Sequence, residues 1–147
     1  MVGLGKKTMN NQEEKIVSLI SKQEVSFISS IDENDFPNIK AMLTPCKREG
    51  IKYFYWHTNS PSMKVKHFRK NPKACVYFYD KKDVAGVTLT GTMEVLDDID
   101  IKKEIWKDGF VQWYTGGMDG GDFVIIKFTA ENGRYYHNLQ KEDFKIE

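Results

Sequence analysis

Residues 51–64 read Ile-Lys-Tyr-Phe-Tyr-Trp-His-Thr-Asn-Ser-Pro-Ser-Met-Lys, and they contain the most informative transition between secondary-structure elements in the chain. Its first half, 51–57, is rich in aromatic residues and predicts a β-strand. Ser60 is a good helix-capping residue, and Pro61 suits the first position of a helix. The chain is therefore predicted to pass from a strand directly into a helix that begins at Pro61.

This junction has the chemistry of an anion site. The amino end of a helix offers unpaired backbone N–H groups and a partial positive charge. Thr58 and Ser62 can add hydroxyl donors, and Lys64 adds a full charge in the first turn. A second cation, Lys40, occupies a strand position that can face a ligand. The alternative is that the hydroxyl residues only cap the helix and that both lysines are solvated surface residues.

Upstream of the junction, the pattern predicts a helix and two strands. Asn11 and Glu14 have the spacing of a capping box at the start of the helix. The predicted elements are a helix over 11–24, a strand over 25–31, a polar turn over 32–35, a strand over 38–43 and a turn over 47–50. Together with 51–57, these strands are predicted to form an antiparallel meander.

Downstream, the sequence predicts the rest of a β-rich domain. Gly86 and Gly91 interrupt one of its strands and suit a bulge or a close backbone approach, and Gly109 is a candidate helix breaker. The predicted elements are a helix end near Asn71-Pro72, strands over 74–79 and 84–96, a helix over 97–114, a loop over 116–121 and closing strands over 123–128 and 134–137. The fold class predicted is mainly β with flanking helices.

Composition limits the class of protein. The length of 147 residues predicts a single domain, 1–147, with residues 1–10 flexible. Twenty-two Lys and Arg against 21 Asp and Glu leave a net charge of +1, which argues against nucleic acid or an anionic membrane as partner. Cys46 and Cys75 have no CxxC spacing, and no apolar run approaches the ~18 residues of a membrane span. We therefore expect a cytoplasmic protein with reduced thiols.

Five short motifs follow one another in an order that is more specific than any one of them. They are Pro37-x-x-Lys40-x-Met42, His57-Thr58-Asn59, Ser62-x-Lys64, Asn71-Pro72 and Val76-Tyr-Phe-Tyr79. In this order they resemble the FMN-binding split-barrel family related to pyridoxamine 5′-phosphate oxidase. The most similar branch contains general stress protein 26 and the nitroimidazole-resistance-like proteins. The resemblance extends from Glu13 to His137.

The resemblance implies a six-stranded antiparallel split β-barrel that forms a homodimer, with FMN in clefts between the subunits. It also implies a flavin-dependent oxidoreductase, reduced by a nicotinamide, that acts on an unidentified small molecule. Thr58, Ser62 and Lys64 would hold the phosphate, while Lys40, Met42 and the backbone around Trp56 to Thr58 would line the isoalloxazine. The full set implied to bind FMN is Lys40, Ala41, Met42, Trp56, His57, Thr58, Asn59, Ser62, Met63 and Lys64. No catalytic side chain is predicted, because the flavin supplies the chemistry.

The chain departs from the family pattern at several positions. Lys40 stands where the family usually has arginine, so a point charge replaces a planar two-pronged donor. The vitamin B6 oxidases have a basic residue where Met63 stands and a glutamine where Gly86 stands. Their Arg-x-His substrate motif is not matched by 134–137. The expectation is a relative of pyridoxamine 5′-phosphate oxidase that does not oxidise pyridoxamine phosphate.

Two other functions remain open. The same barrel can bind flavin or haem without turnover as a stress-response protein, and a haem would need His67 or His137 as axial ligand. A nucleic-acid surface is a more distant reading, built on the tyrosines at 53, 55, 77 and 79. The histidine and cysteine spacings do not predict a metal site.

Overall fold

The computed structural model describes residues 10–147. The described part of the chain contains α1 (Asn11–Ser21), β1 (Val25–Ile31), β2 (Pro37–Leu43), β3 (Lys47–Glu49), β4 (Tyr53–Asn59), α2 (Met63–Lys70), β5 (Lys73–Asp80), β6 (Ala85–Leu96), α3 (Ile99–Ile105), a 3₁₀ helix (Asp108–Gln112), β7 (Phe123–His137) and β8 (Gln140–Lys145). This confirms a mainly β fold with flanking helices. Of the segment predicted to be flexible, 1–10, all but Asn10 lies outside the described residues.

The N-cap residue of helix α1 is Asn10, one residue before the predicted cap Asn11. The side chain of Asn10 accepts a hydrogen bond from the backbone N–H of Glu13, and this contact closes the first turn. Ile16, Leu19 and Ile20 are buried, as their helical spacing predicts. The helix thus covers one side of the main core.

The strands form one antiparallel sheet in the order β2-β1-β5-β6-β7-β4-β3, with β8 paired to β7. The predicted meander is wrong, because β4 pairs with β7 and not with β2. The segment predicted as a turn before β4 contains a strand, β3, which forms a hairpin with β4 across Gly50. Gly50 has a φ of 59°, which glycine adopts without strain. One edge of β4 is thus occupied by β3, and its other edge pairs with β7.

The sheet has eight strands where the resemblance implied six. The two predicted closing strands are one continuous strand, β7, and its second half pairs with β8. Asn138 and Leu139 form the two-residue turn between them, with φ values of 54° and 63°. Positive φ at both central residues is typical of the tightest hairpins. Strand β8 was not predicted because its charged sequence has low β-propensity. It forms a strand because the turn at 138–139 brings it alongside β7.

Gly91 lies opposite a bulge, as predicted, but the extra residue is Glu131 in β7. The pairing of β6 with β7 shifts register between Thr90 and Gly91. A Cβ at Gly91 would collide with the backbone carbonyl of Thr129, so the two strands approach closely only because no side chain is present. The bulge bends the long β7 and helps the sheet to curl.

Two apolar clusters hold the fold together. The main core lies inside the curled sheet and includes Phe54, Phe78, Leu89 and Phe128, each fully buried. The second lies on the other face of β4 and β7, under α3 and the 3₁₀ helix. The predicted helix over 97–114 ends at Ile105, four residues before Gly109, and a 3₁₀ helix follows. In the described part of the chain, no helix is long and apolar enough to cross a membrane.

Candidate functional site

The turn between β4 and α2 builds the first part of the site. The Ser62 N–H donates to the Asn59 carbonyl at 3.1 Å, and the Ser60 N–H donates to the Asp122 carbonyl at 2.7 Å. These bonds hold the segment in a turn, so α2 begins at Met63 and not at Pro61. Ser62 is the N-cap residue in place of Ser60, and α2 ends just before Asn71, as predicted.

Ser62 does not cap the helix with its side chain. Its backbone is extended, at φ −63° and ψ 151°, but its hydroxyl makes no capping hydrogen bond. Ser62 Oγ is buried and, among the described residues, has no hydrogen-bond partner. A buried hydroxyl without a partner costs free energy. The start of α2 therefore has a polar atom and backbone N–H groups that a bound anion can satisfy.

A cavity of about 150 Å³ lies between α2 and the β1–β2 hairpin. It brings together three of the predicted site residues, Lys40, Met63 and Lys64. Its full lining is Ile28, Ser30, Asn38, Ile39, Lys40, Met63, Lys64 and His67. Among the described residues that line it, none is acidic. The cavity is therefore suited to an anion.

Two lysines face each other across this cavity. Burial, with a further contribution from the positive charge of Lys40, lowers the pKa of Lys64 from its usual value. A bound anion would oppose this shift, because a negative charge stabilises the charged form of a buried lysine and offsets its repulsion by Lys40. The electrostatics of the free protein thus favour an anionic ligand.

His67 and Ser30 belong to the same cavity, although sequence reasoning did not place them there. Ser30 Oγ and His67 Nδ1 are hydrogen-bonded at 2.8 Å, and both residues are buried. The sequence interpretation considered His67 only as a haem ligand. Its spacing of three residues from Lys64 on α2 was the signal, because residues three and four apart share a helix face. His137 lines a different cavity, beside α1.

Other predicted residues lie elsewhere. The indole of Trp56 points into the main core, where it donates to Ser26 Oγ and to the Leu43 carbonyl. The side chain of His57 lies on the opposite face of β4, in the second cluster, with Nδ1 2.8 Å from the Tyr114 hydroxyl. Burial, followed by the charge of Lys107, lowers the pKa of His57.

The remaining predicted residues do not line the cavity. Thr58 is buried on the same face of β4 as Trp56, and Asn59 is exposed at the end of that strand. Met42 packs partly against the main core. Ala41 is exposed and points to the other face of β2 from Lys40.

The outer face of the β1–β2 hairpin is apolar and exposed. Ile39 and Leu43 have 75% and 67% of their surface exposed, and Phe36 in the preceding turn has 67%. Such a patch on a folded protein is typical of an interface. This apolar face adjoins the cavity, because Ile39 belongs to the face and also lines the cavity.

The predicted tyrosine platform is not assembled. Tyr53 and Tyr55 lie on β4, whereas Tyr77 and Tyr79 lie on β5, and β6 and β7 separate the two strands. Tyr55 is buried and its hydroxyl donates to Glu49. The four rings therefore do not form one stacking surface.

The sheet is antiparallel and curled, and helices flank it. This architecture is that of the split-barrel class of proteins, and here a cavity lined by two lysines lies at the start of α2. Residues 11–146 match the family described as pyridoxamine 5′-phosphate oxidase like, and the chain belongs to this family. Among curated protein sequences, none matches the chain significantly.

Solved structures support the same assignment. A Clostridium acetobutylicum protein related to general stress protein 26 is 38% identical, with a TM-score of 0.81 over 91% of this chain and 94% of its own. General stress protein 26 of Bacillus anthracis is 22% identical, with a TM-score of 0.75 over 93% and 100%. A NimC/NimA family protein of C. acetobutylicum is 19% identical, with a TM-score of 0.71 over 91% and 92%. These neighbours confirm the predicted branch and the split-barrel fold.

Proposed function

We propose that this protein binds FMN, with the phosphate at the start of α2, and acts as a flavin-dependent oxidoreductase on a small molecule. The observation that carries the proposal is the buried, unpartnered Ser62 Oγ beside a cavity lined by Lys40 and Lys64. A phosphate oxygen would satisfy the hydroxyl and the first backbone N–H groups of α2. The two lysines would neutralise its charge.

The shared cavity supports a phosphate role for both lysines. Lys40 and Lys64 line the same cavity, and burial together with the charge of Lys40 lowers the pKa of Lys64, so one anion in the cavity would be attracted by both ammonium groups. In this arrangement Lys40 holds the phosphate rather than the flavin ring. FMN supplies the hydride and electron transfer, and the chain supplies binding and orientation.

A second copy of the chain would complete the site. The cavity of about 150 Å³ is smaller than the roughly 300–1,000 Å³ of typical ligand pockets. The apolar face of the β1–β2 hairpin adjoins the cavity, and Ile39 is 75% exposed on it. Pairing of two such faces would bury these side chains and would extend each cavity into a cleft. We therefore propose a homodimer with FMN between the subunits.

Two positions support a substrate other than pyridoxamine phosphate. A Cβ at Gly86 would collide with the Tyr77 hydroxyl, so the glutamine of the vitamin B6 oxidases does not fit there without a shift of Tyr77. Met63 is 70% exposed beside the cavity, where those enzymes have a basic residue. The proposed substrate is a different small molecule.

The test of the cofactor is the affinity of the purified protein for FMN, measured by titration calorimetry and by the visible spectrum after removal of free ligand. We expect Lys64→Ala to lower the affinity at least tenfold, the order of magnitude of one lost charged hydrogen bond. Lys66→Ala is the matched control, because Lys66 is exposed on the same helix and lies outside this cavity. Equal effects of the two variants, or no FMN binding by the wild type, would refute the proposal.

Turnover is tested separately from binding. The FMN-loaded protein is mixed anaerobically with NADH or NADPH, and loss of the oxidised flavin spectrum is followed in time. Reduction followed by reoxidation with a small-molecule acceptor is expected of an oxidoreductase. Tight FMN binding without reduction by either nucleotide would instead favour a non-catalytic flavin carrier.

A further inference from the structure

A buried pair of polar side chains joins α2 to β1 in the wall of the candidate cofactor cavity. Ser30 Oγ and His67 Nδ1 are 2.8 Å apart, and the residues are 4% and 6% exposed. The hydrogen bond fixes the orientation of the imidazole ring. The pair lines the same cavity as Lys40 and Lys64.

The second ring nitrogen of His67 is left for a ligand. Within the described residues, Nε2 of His67 has no hydrogen-bond partner, and it is not among the fully buried polar atoms that lack one. When the Ser30 hydroxyl donates to Nδ1, the ring proton is on Nε2, which is then a donor. An oxygen of an anion in the cavity is the acceptor that such a donor needs.

His67 also lines a second cavity, which contains charged groups. These are the carboxylates of Asp32, Glu33 and Asp35 and the ammonium groups of Lys66 and Lys70. Glu33 and Asp35 are exposed to solvent. The Asp32 carboxylate is already engaged by the Asn38 amide and by two backbone N–H groups. In the described part of the chain, no ion pair joins Asp32 to His67.

We infer that His67, oriented by Ser30, is a third group that binds the phosphate of the ligand and that it helps the protein to select FMN over riboflavin. The inference rests on the proposed function and deepens it. Lys40 and Lys64 attract the anion, while His67 adds a directional donor whose position is fixed by packing. His67 is a binding residue, and Ser30 is a positioning residue that acts through it.

The experiment compares the dissociation constants of FMN and riboflavin in four proteins: the wild type, His67→Leu, His67→Gln and Ser30→Ala. His67→Leu should weaken FMN about tenfold, as expected for a lost hydrogen bond to a charged group, and leave riboflavin within twofold. His67→Gln keeps an N–H donor and should restore most of the FMN affinity. The ³¹P resonance of bound FMN should shift in His67→Leu.

Ser30→Ala tests the positioning role. It should weaken FMN by a smaller factor than His67→Leu and should have no further effect in the Ser30→Ala/His67→Leu double variant. Thermal unfolding of the FMN-free variants controls for folding. If His67→Leu or Ser30→Ala does not fold, the FMN affinity and the ³¹P shift of bound FMN are compared between His67→Gln and the wild type instead.

Each outcome has a distinct meaning. Equal losses of FMN and riboflavin affinity in His67→Leu, or no loss of FMN affinity, would overturn the inference and leave FMN binding intact. Wild-type protein that binds neither flavin would overturn the proposed function and this inference with it. A selective loss of FMN affinity, rescued by glutamine, would support both.

Discussion

The indole nitrogen of Trp56 lies 3.1 Å from the carbonyl oxygen of Leu43, and it joins two strands that are not neighbours in the sheet. Trp56 is on β4 and Leu43 is at the end of β2, near the opposite edge. The same indole N–H also reaches Ser26 Oγ on β1. This shared hydrogen bond holds the two sides of the curled sheet together beside the candidate site.

Trp56→Phe should therefore lower the free energy of unfolding by about 1–2 kcal/mol, because a buried hydrogen-bond donor is lost. Equilibrium urea denaturation measures the change. Trp113→Phe is the control, since Trp113 is 56% exposed and should change stability by less than about 0.5 kcal/mol. Equal effects at the two positions would contradict the role of the Trp56 bond.

One methyl group added at Gly91, opposite the bulge, should greatly lower the free energy of unfolding. Gly91→Ala would place Cβ against the Thr129 carbonyl, so β6 must separate from β7 or shift register. The expected loss is more than about 2 kcal/mol, in the range of overpacking and strain. Gly109→Ala, at a position with no atom within 4 Å, serves as control. Thermal unfolding should show a marked drop for the first variant alone.

Ser62→Ala should lower the affinity for FMN without lowering the stability of the FMN-free protein. In the FMN-free protein, the substitution removes a buried hydroxyl without a partner, so stability should stay equal or rise. FMN affinity should fall several-fold, because a donor to the phosphate is lost, while riboflavin affinity is unchanged. A clear loss of stability in the FMN-free variant would show that the hydroxyl has a structural partner instead.

The lowered pKa of Lys64 predicts a pH dependence of FMN binding. At neutral pH the lysine is charged, and affinity should be at its full value. As pH rises toward the usual lysine range, Lys64 in the free protein loses its proton earlier than an exposed lysine, and FMN affinity should fall. Lys64→Arg keeps its charge and should retain affinity at alkaline pH. Parallel profiles for FMN and riboflavin would argue against this lysine as the cause.

Ile39→Glu should dissociate the proposed homodimer. A charged side chain on the apolar face of β2 would be buried without a partner on association, which should weaken the dimer by at least tenfold. Light scattering coupled to size exclusion measures the mass. Leu139→Glu is the matched control, because Leu139 is 88% exposed in the β7–β8 turn, away from this face. A monomeric wild type would refute the homodimer.

The site was only partly readable from the sequence. Lys40, Ser62 and Lys64 could be proposed from the sequence, because helix starts and isolated cations can be recognised locally. His57 was expected to line the ligand through its backbone, and strand alternation places its side chain on the other face of β4 from Trp56. Ser30 and His67 were missed as cavity residues because their contact joins positions 37 residues apart.

The mainly β class, the helix that follows β4, the irregularity at Gly91 and the family could all be predicted from the sequence, since each depends on local composition or on the order of short motifs. The pairing of β4 with β7, the existence of β3 and β8 and the presence of Lys40 and Lys64 in one cavity depend on the three-dimensional fold. These features depend on which strand edges meet and on burial across the sheet. Such long-range contacts leave no periodic signal in a single segment.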